Sequence, residues 1–220
     1  NQNNDQPPSS EKRVTRSFII RILIRCAILG ACAAVAGALV VMLAMTLIYP
    51  KLPPMDQLTD YHPKMPLRIY TADRVLIGEF GEERRSLVRI HQIPDIMKKA
   101  VLAIEDDRFY QHNGVDYIGI LRAALHNLVS SSRQGASTIT QQVARNFFLT
   151  SEQTFKRKLY EVLLAWKIEQ TLTKDQILEI YLNQIYLGQR AFGFASAAQV
   201  YFGKPLQDIT IAEAAMLAGL

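Results

Sequence analysis

At 220 residues the chain has room for one ordinary domain and an accessory segment. Its net charge of +5 invites a nucleic-acid partner until the charges are placed: residues 1–25 carry Lys12, Arg13, Arg16, Arg21 and Arg25 against Asp5 and Glu11, leaving only +2 for the rest. Basicity concentrated beside an apolar run is the pattern of a membrane anchor and argues against a DNA-binding face.

Residues 1–11, Pro-containing and polar, read as a disordered start to a cytoplasmic tail at 1–25. The run from Cys26 to Tyr49 is 24 residues without a charge, and about 20 apolar residues span a bilayer core as a helix. Residues 26–49 are therefore expected to be a single-pass transmembrane helix. A cleaved signal peptide is the rival, but the run exceeds the usual h-region of about 7–15 residues. The positive-inside bias places the tail in the cytoplasm and residues from about 50 onward outside. Both cysteines, Cys26 and Cys32, fall within the span, so the outer part uses no disulfide. A Pro-punctuated linker at 50–65 leads into the outer domain, residues 66–220.

That domain opens with "LRIYTADRVLIGEFG", two β-rich runs around a turn-like "TADR", which predicts a hairpin. "RRSLVRI" is a candidate for a further short strand. From Ile93 the pattern turns helical, with Pro94 suited to a first helical position and Met97, Val101, Ile104 and Arg108 at helical spacing. Further helices are predicted over Tyr117–Val129, Thr138–Leu149, Phe155–Gln170, Lys174–Leu187, Gly193–Tyr201 and Ile211–Leu220. Thr173 with Gln176 and Thr210 with Glu213 form capping-box pairs that mark two of the starts. The last helix carries no stop signal, so the chain is expected to be part of a longer one. The class is mostly α with a small β-hairpin piece.

Three clusters could carry chemistry. In "EDDRFYQHNGVD", Glu105 falls at the margin of the apolar stripe. It is either a solvated helix end or a desolvated catalytic carboxylate. In "GASTITQQVARN", Thr138, Gln141, Gln142 and Arg145 share one helix face beside a Gly-Ala-Ser turn. That face is either solvated or built for an oxyanion or polar sugar. In "FKRKLYEVLLAW", Arg157 and Lys158 lie four and three residues before Glu161, on a helix whose apolar density demands a cation or a function for that carboxylate. Glu179 and Asn183, at i and i+4 in "ILEIYLN", signal helix bracing more than chemistry. Metal ligation by Glu105, Asp106 and His112 is chemically conceivable, but no HExxH or EF-hand pattern supports a dedicated cage.

In order, "EDDRFYQHNGVD", "GASTITQQVARN", "RKLYE" and "ILEIYLN" resemble the successive signatures of the family 51 peptidoglycan glycosyltransferases, and "AAQVYFGK" with "LQDITIAEAAMLAG" resembles the family's closing segment. The resemblance covers residues 66–220. The anchor, the hairpin and "NQIYLGQRAFGFASAAQVYFGK" are more similar to the class A penicillin-binding proteins than to the monofunctional enzymes. The Ser-x-x-Lys transpeptidase nucleophile of that class has no credible match, since Ser9 to Lys12 lies in the tail.

The resemblance implies a lysozyme-like fold with a cleft between a head lobe and a smaller lobe, Tyr117–Val129, that dips into lipid. It implies polymerisation of lipid II: the growing chain on undecaprenyl pyrophosphate is donor, the 4-hydroxyl of the incoming lipid II is acceptor, and a β-1,4 bond forms with inversion. Glu105 would be the general base, Asp106 its support, and Glu161 an aid to the leaving group or its cation. Arg157, Lys158 and Arg145 would neutralise pyrophosphate, although the family often has Lys where Arg145 stands. Ser137, Thr138, Gln141, Gln142 and Asn183 would contact substrate. Asp107 reads as solvated and His112 as holding the turn. A divalent cation (Mg²⁺ or Mn²⁺) would assist at the pyrophosphate through ligands that the sequence does not name. Partners implied are lipid II, the growing glycan, the bacterial cytoplasmic membrane with the domain on its periplasmic side, and other cell-wall synthesis proteins; moenomycin would inhibit. The rivals are a glycan-cleaving muramidase or lytic transglycosylase, disfavoured by the cations around Glu161, and an inactive membrane scaffold.

Overall fold

The computed structural model describes residues 10–59, 66–130, 135–149 and 155–220. Expectations for the tail before residue 10, for the linker at 60–65 and for the loop at 131–134 lie outside the described residues. The chain divides into two compact units, Asn1–Leu52 and Pro53–Leu220.

In the first unit, α1 (Ser10–Ile48) runs unbroken for 39 residues through the uncharged stretch, and Pro50 then opens a 3-10 turn at Tyr49–Lys51. The large apolar side chains described along it, such as Leu29, Val40 and Leu47, stand exposed. Among the described residues no helix is long and apolar enough to cross a membrane; side chains at 34, 38, 41, 44 and 45, inside the run, are not described.

The second unit begins with a one-turn helix, α2 (Asp56–Thr59), which buries Met55 and Leu58. The predicted hairpin follows: β1 (Leu67–Tyr70) pairs antiparallel with β2 (Leu76–Phe80), with an irregularity between Ile69 and Tyr70. Its turn closes through Thr71, whose hydroxyl accepts from the Val75 N–H while its own N–H donates to Val75 O. A second, two-residue ladder was not foreseen in full. Here β3 (Arg84–Arg85) runs parallel to β4 (Ala191–Phe192).

From Asp95 onward the body is mostly helical. α3 (Asp95–Glu105) starts one residue later than expected, with Pro94 as its cap. Next come α4 (Tyr117–Val129), α5 (Ile139–Phe148), α6 (Phe155–Thr171), α7 (Lys174–Gln184), α8 (Phe194–Phe202) and α9 (Ile211–Ala218). α5 packs against α6 and α7, and α3 against α9. Met97 and Val101 of α3, Ile139 and Val143 of α5, Leu164 and Ile168 of α6, and Leu178 and Leu182 of α7 are at most 1% exposed. Stripes at helical spacing thus meet in one core, which supplies the main driving force.

α7 ends three residues before its predicted limit, where Ile185 leaves helical geometry, and Gly188, Gln189 and Arg190 then all take positive φ. That tight reversal returns the Ala191 N–H to Gly188 O and delivers β4 to β3. Gly193, at φ +80, permits the next close approach: a Cβ there would lie 2.8 Å from Asn183 O. Asn183 is buried, donating to the carbonyls of Val88 and Glu179 and accepting from the Val88 N–H. Glu179 accepts from the Ile90 N–H at 2.7 Å and pairs with Arg89, the bracing role its spacing suggested. Arg85, 5% exposed, binds Glu83 and Gln184 and stacks over Phe192 at 4.2 Å, which clamps β3, α7 and β4 together.

The N-terminus of α9 carries a testable electrostatic load. The Thr210 capping box forms as predicted, and Glu213 also meets Lys204 at 2.8 Å. The Lys204 hydrogen bond, then the Thr210 N–H, pull the Glu213 carboxyl from 4.5 down to about 2. Because the folded value is depressed, this contribution to stability is complete above the unfolded pKa and fades as pH falls toward the folded one. Thermal melts of wild type and Glu213→Gln should therefore differ at neutral pH, converge below pH 4.5, and coincide near pH 2. A gap that persists unchanged through that window would show that the ion pair is not its source.

Candidate active site

The first motif turns where α3 ends. Glu105 is the last helical residue and Asp106 the C-cap. Asp106 is 7% exposed, so its charge must be satisfied inside the protein. His112 Nε2 lies 2.8 Å from its Oδ1, and the Ile139 N–H donates to Oδ2 at 3.1 Å. That N–H is the first of α5, where the helix dipole favours an anion. Asp106 thereby ties the end of α3, the turn and the start of α5 into one junction. Asp107, by contrast, is exposed and meets Arg122 through both guanidinium nitrogens at 3.3 Å. The Arg122 hydrogen bond holds its carboxyl below the usual carboxylate range.

α5 is started by a cap that the sequence reading overlooked. Thr138 Oγ1 accepts from the Gln141 N–H and donates to Gly114 O at 2.6 Å, while Gln141 Oε1 accepts from the Thr138 N–H. The signal was present as Thr-x-x-Gln, a capping box read instead as part of a ligand-binding face. Both residues are 2% exposed, so Gln141 serves the helix start and Lys158 rather than an open surface. Gly114 takes φ +82 and lies so close to α6 that a Cβ would meet the Ala165 backbone at 3.1 Å.

The other amide behaves differently. Gln142 Nε2 donates to Glu105 Oε2 at 2.6 Å, a short charge-assisted bond that orients the carboxylate. Glu105 is half-buried and borders a cleft of about 740 Å³ together with Asp106, Asp107, Asp116, Gly119, Arg122, Ser137, Thr138, Gln142 and Arg145. Arg145 makes no ion pair among the described residues, so its guanidinium is available to a ligand anion. Behind the cleft, Tyr181 is buried, and that burial, reinforced by the charge of Glu105 and opposed by Arg145, holds its hydroxyl well above the usual phenol range.

The predicted cation–carboxylate cluster on α6 is real but recessed. Glu161 is 2% exposed, with Lys158 Nζ at 2.9 Å and Arg157 Nε at 3.5 Å. Lys158 also donates to Ser137 Oγ at 2.9 Å and Gln141 Oε1 at 3.3 Å, so it links α6 to the cleft wall. Glu161, Arg157 and Lys158 do not themselves border the cleft; Ser137 does. Asn183 is also outside it, its amide committed to the Val88 clamp. The structure thus gathers Glu105, Asp106, Ser137, Thr138, Gln142 and Arg145 at one cleft. It puts Lys158 and Glu161 one shell behind and Asn183 elsewhere. Asp116, Gly119 and Arg122 join the cleft unforeseen.

Because Glu161 is buried beside two cations, truncating it removes the carboxylate that Lys158 and Arg157 share. Glu161→Ala should lower stability by about 1–3 kcal/mol, the lower part of that range reflecting the half-exposed Lys158. Chemical denaturation would read this directly, and an unchanged midpoint would show the pair to be energetically idle.

Comparison with known proteins fits this arrangement. Residues 73–220 match the family model described as Transglycosylase. Penicillin-binding protein 1A of Neisseria meningitidis serogroup A is 59% identical over 92% of this chain and 26% of its own length. The protein of that name from Escherichia coli K12 is 53% identical over 88% of this chain and 23% of its own. The chain therefore spans about a quarter of the relatives it matches. The solved penicillin-binding protein 1A of Haemophilus influenzae aligns over 72% of this chain and 14% of that one at 29% identity, with a TM-score of 0.34, too low to bear on the fold. The chain belongs to the transglycosylase family, as the glycosyltransferase portion of a class A penicillin-binding protein.

Proposed function

We propose that this domain polymerises lipid II into β-1,4 glycan with release of undecaprenyl pyrophosphate, and that Glu105 is the general base. The observation that carries the reading is the placing of Glu105: a half-buried carboxylate on the cleft wall, oriented by Gln142, with Arg145 on the same wall. A sugar 4-hydroxyl is a weak nucleophile, so Glu105 takes its proton as the oxygen attacks the donor's anomeric carbon. The bond from that carbon to the pyrophosphate oxygen breaks on the opposite face, which gives inversion. Arg145 receives the developing negative charge, and Lys158, set by Glu161, Gln141 and Ser137, adds a second cation behind the wall. Asp106 contributes by holding the junction that aims Glu105.

A divalent cation (Mg²⁺ or Mn²⁺) assisting at the pyrophosphate belongs to the same proposal. The described residues hold no group of three or more His, Cys, Asp or Glu side chains suited to a metal. The donor set does not form a protein cage, and no step here is assigned to a cation.

The lysozyme-like likeness, the membrane anchor at 26–49 and the periplasmic position of the domain belong to the same proposal. Helix α1 supports the anchor by its continuity through the uncharged run. α4 supports contact with lipid: Leu121, Leu125, Leu128 and Val129 are each more than half exposed, with only Gly119 and Ala123 buried. Moenomycin binding and work beside other cell-wall synthesis proteins follow from the same reading.

The test is lipid II polymerisation by wild type beside Glu105→Gln. The variant should fold normally and lose about 10²–10⁴-fold in rate. Retained polymerisation would remove Glu105 from the role of base, and solubilisation of finished glycan without polymer growth would overturn the synthetic reading.

A further inference from the structure

Asp116 has no part in the chemistry derived so far, yet the structure gives up several favourable arrangements to hold it. It stands at the N-cap of α4, where aspartate normally accepts a hydrogen bond from the first turn, and it makes none. Its side chain is 9% exposed, and its ion pair with Arg108 is 3.7 Å long, beyond hydrogen-bond reach. Oδ1 is buried with no hydrogen-bond partner, and so is Arg108 Nε. Leaving a buried carboxylate oxygen unsatisfied is costly, and such a group in a native structure calls for a reason.

The neighbouring residue shows that the placement is enforced. Gly119 lies inside α4, where Ala would favour the helix by about 1 kcal/mol. A Cβ at position 119 would stand 2.5 Å from Asp116 Oδ2. Only glycine leaves the carboxylate its position. Asp116 and Gly119 both border the cleft that holds Glu105.

Resting on the glycosyltransferase reading, we propose that Asp116 accepts a hydrogen bond from a hydroxyl or amide N–H of the acceptor sugar, the sugar whose 4-hydroxyl Glu105 deprotonates. Hydrogen-bonding capacity decides the side. Asp116 has an ion pair with Arg108 but no hydrogen-bond donor on Oδ1, so what it lacks is an O–H or N–H donor, which a pyrophosphate does not offer. The carboxylate matches the neutral, donor-rich face of an N-acetyl sugar. Glu105 then activates one hydroxyl while Asp116 fixes the ring that carries it.

The experiment measures lipid II binding to moenomycin-saturated protein, in which the donor side is filled and only the acceptor side is open. Two variants are compared with wild type: Asp116→Asn, which removes the charge, and Gly119→Ala, which displaces the carboxylate with every charge retained. Both should weaken lipid II binding by about 10- to 100-fold, the span of one hydrogen bond to a charged acceptor, with moenomycin affinity unchanged. Unaltered lipid II affinity in both overturns the assignment, as does a parallel loss of moenomycin affinity, which would mark general damage to the cleft. If Gly119→Ala does not fold, Asp116→Asn alone decides. Wild type that polymerises no lipid II overturns the glycosyltransferase reading and this inference together, whereas an active wild type with unaffected variants overturns this inference only.

Discussion

A carboxylate taken out of water must find donors or lose its charge, and Asp106 finds them in two places that are remote in sequence. One is the His112 ring, six residues on; the other is the first N–H of α5, 33 residues on. Satisfying both fixes where α3 stops, how the following turn curls and where α5 begins. Glu105 sits one residue before this knot and Thr138 one residue before its far end. The reactive wall of the cleft is therefore set by a buried anion that does not itself need to react.

Outward from that knot, polar groups are used in pairs. Gln142 orients Glu105, and Glu161 orients Lys158. In each case a residue with restricted exposure holds a more exposed one whose charge is to act. In the proposed reaction, preorganisation of this kind would lower the reorganisation needed as charge moves from the acceptor oxygen to the leaving group.

The helices were legible because each buries a stripe at helical spacing and two of them announce their starts with capping boxes. The hairpin was legible from two β-rich runs around a polar turn. The cluster of Arg157, Lys158 and Glu161 was readable from i+3 and i+4 spacing alone, although its depth was not. The capping role of Gln141 was missed because a residue three places after a cap and a residue on a ligand face obey the same spacing. Asn183 was drawn toward substrate by its motif, whereas its partner, Val88, lies 95 residues away and no local pattern records it. Asp116 escaped notice for a similar reason. Its significance rests on partners it lacks, which only three dimensions can show. β4 is two residues long, and its pairing depends on three consecutive positive-φ residues rather than on strand propensity.

The parallel contact between β3 and β4 has a kinetic side. Arg85 and Gln184 are 99 residues apart, and the helices α3 to α7, with both walls of the cleft, are strung along the loop that their contact closes. Closing a loop of that length costs entropy that rises only slowly with length, but it must be met before the contacts it permits can form. Every residue lining the cleft, from Ala103 to Arg145, lies inside that loop, between the two ends that the clamp draws together.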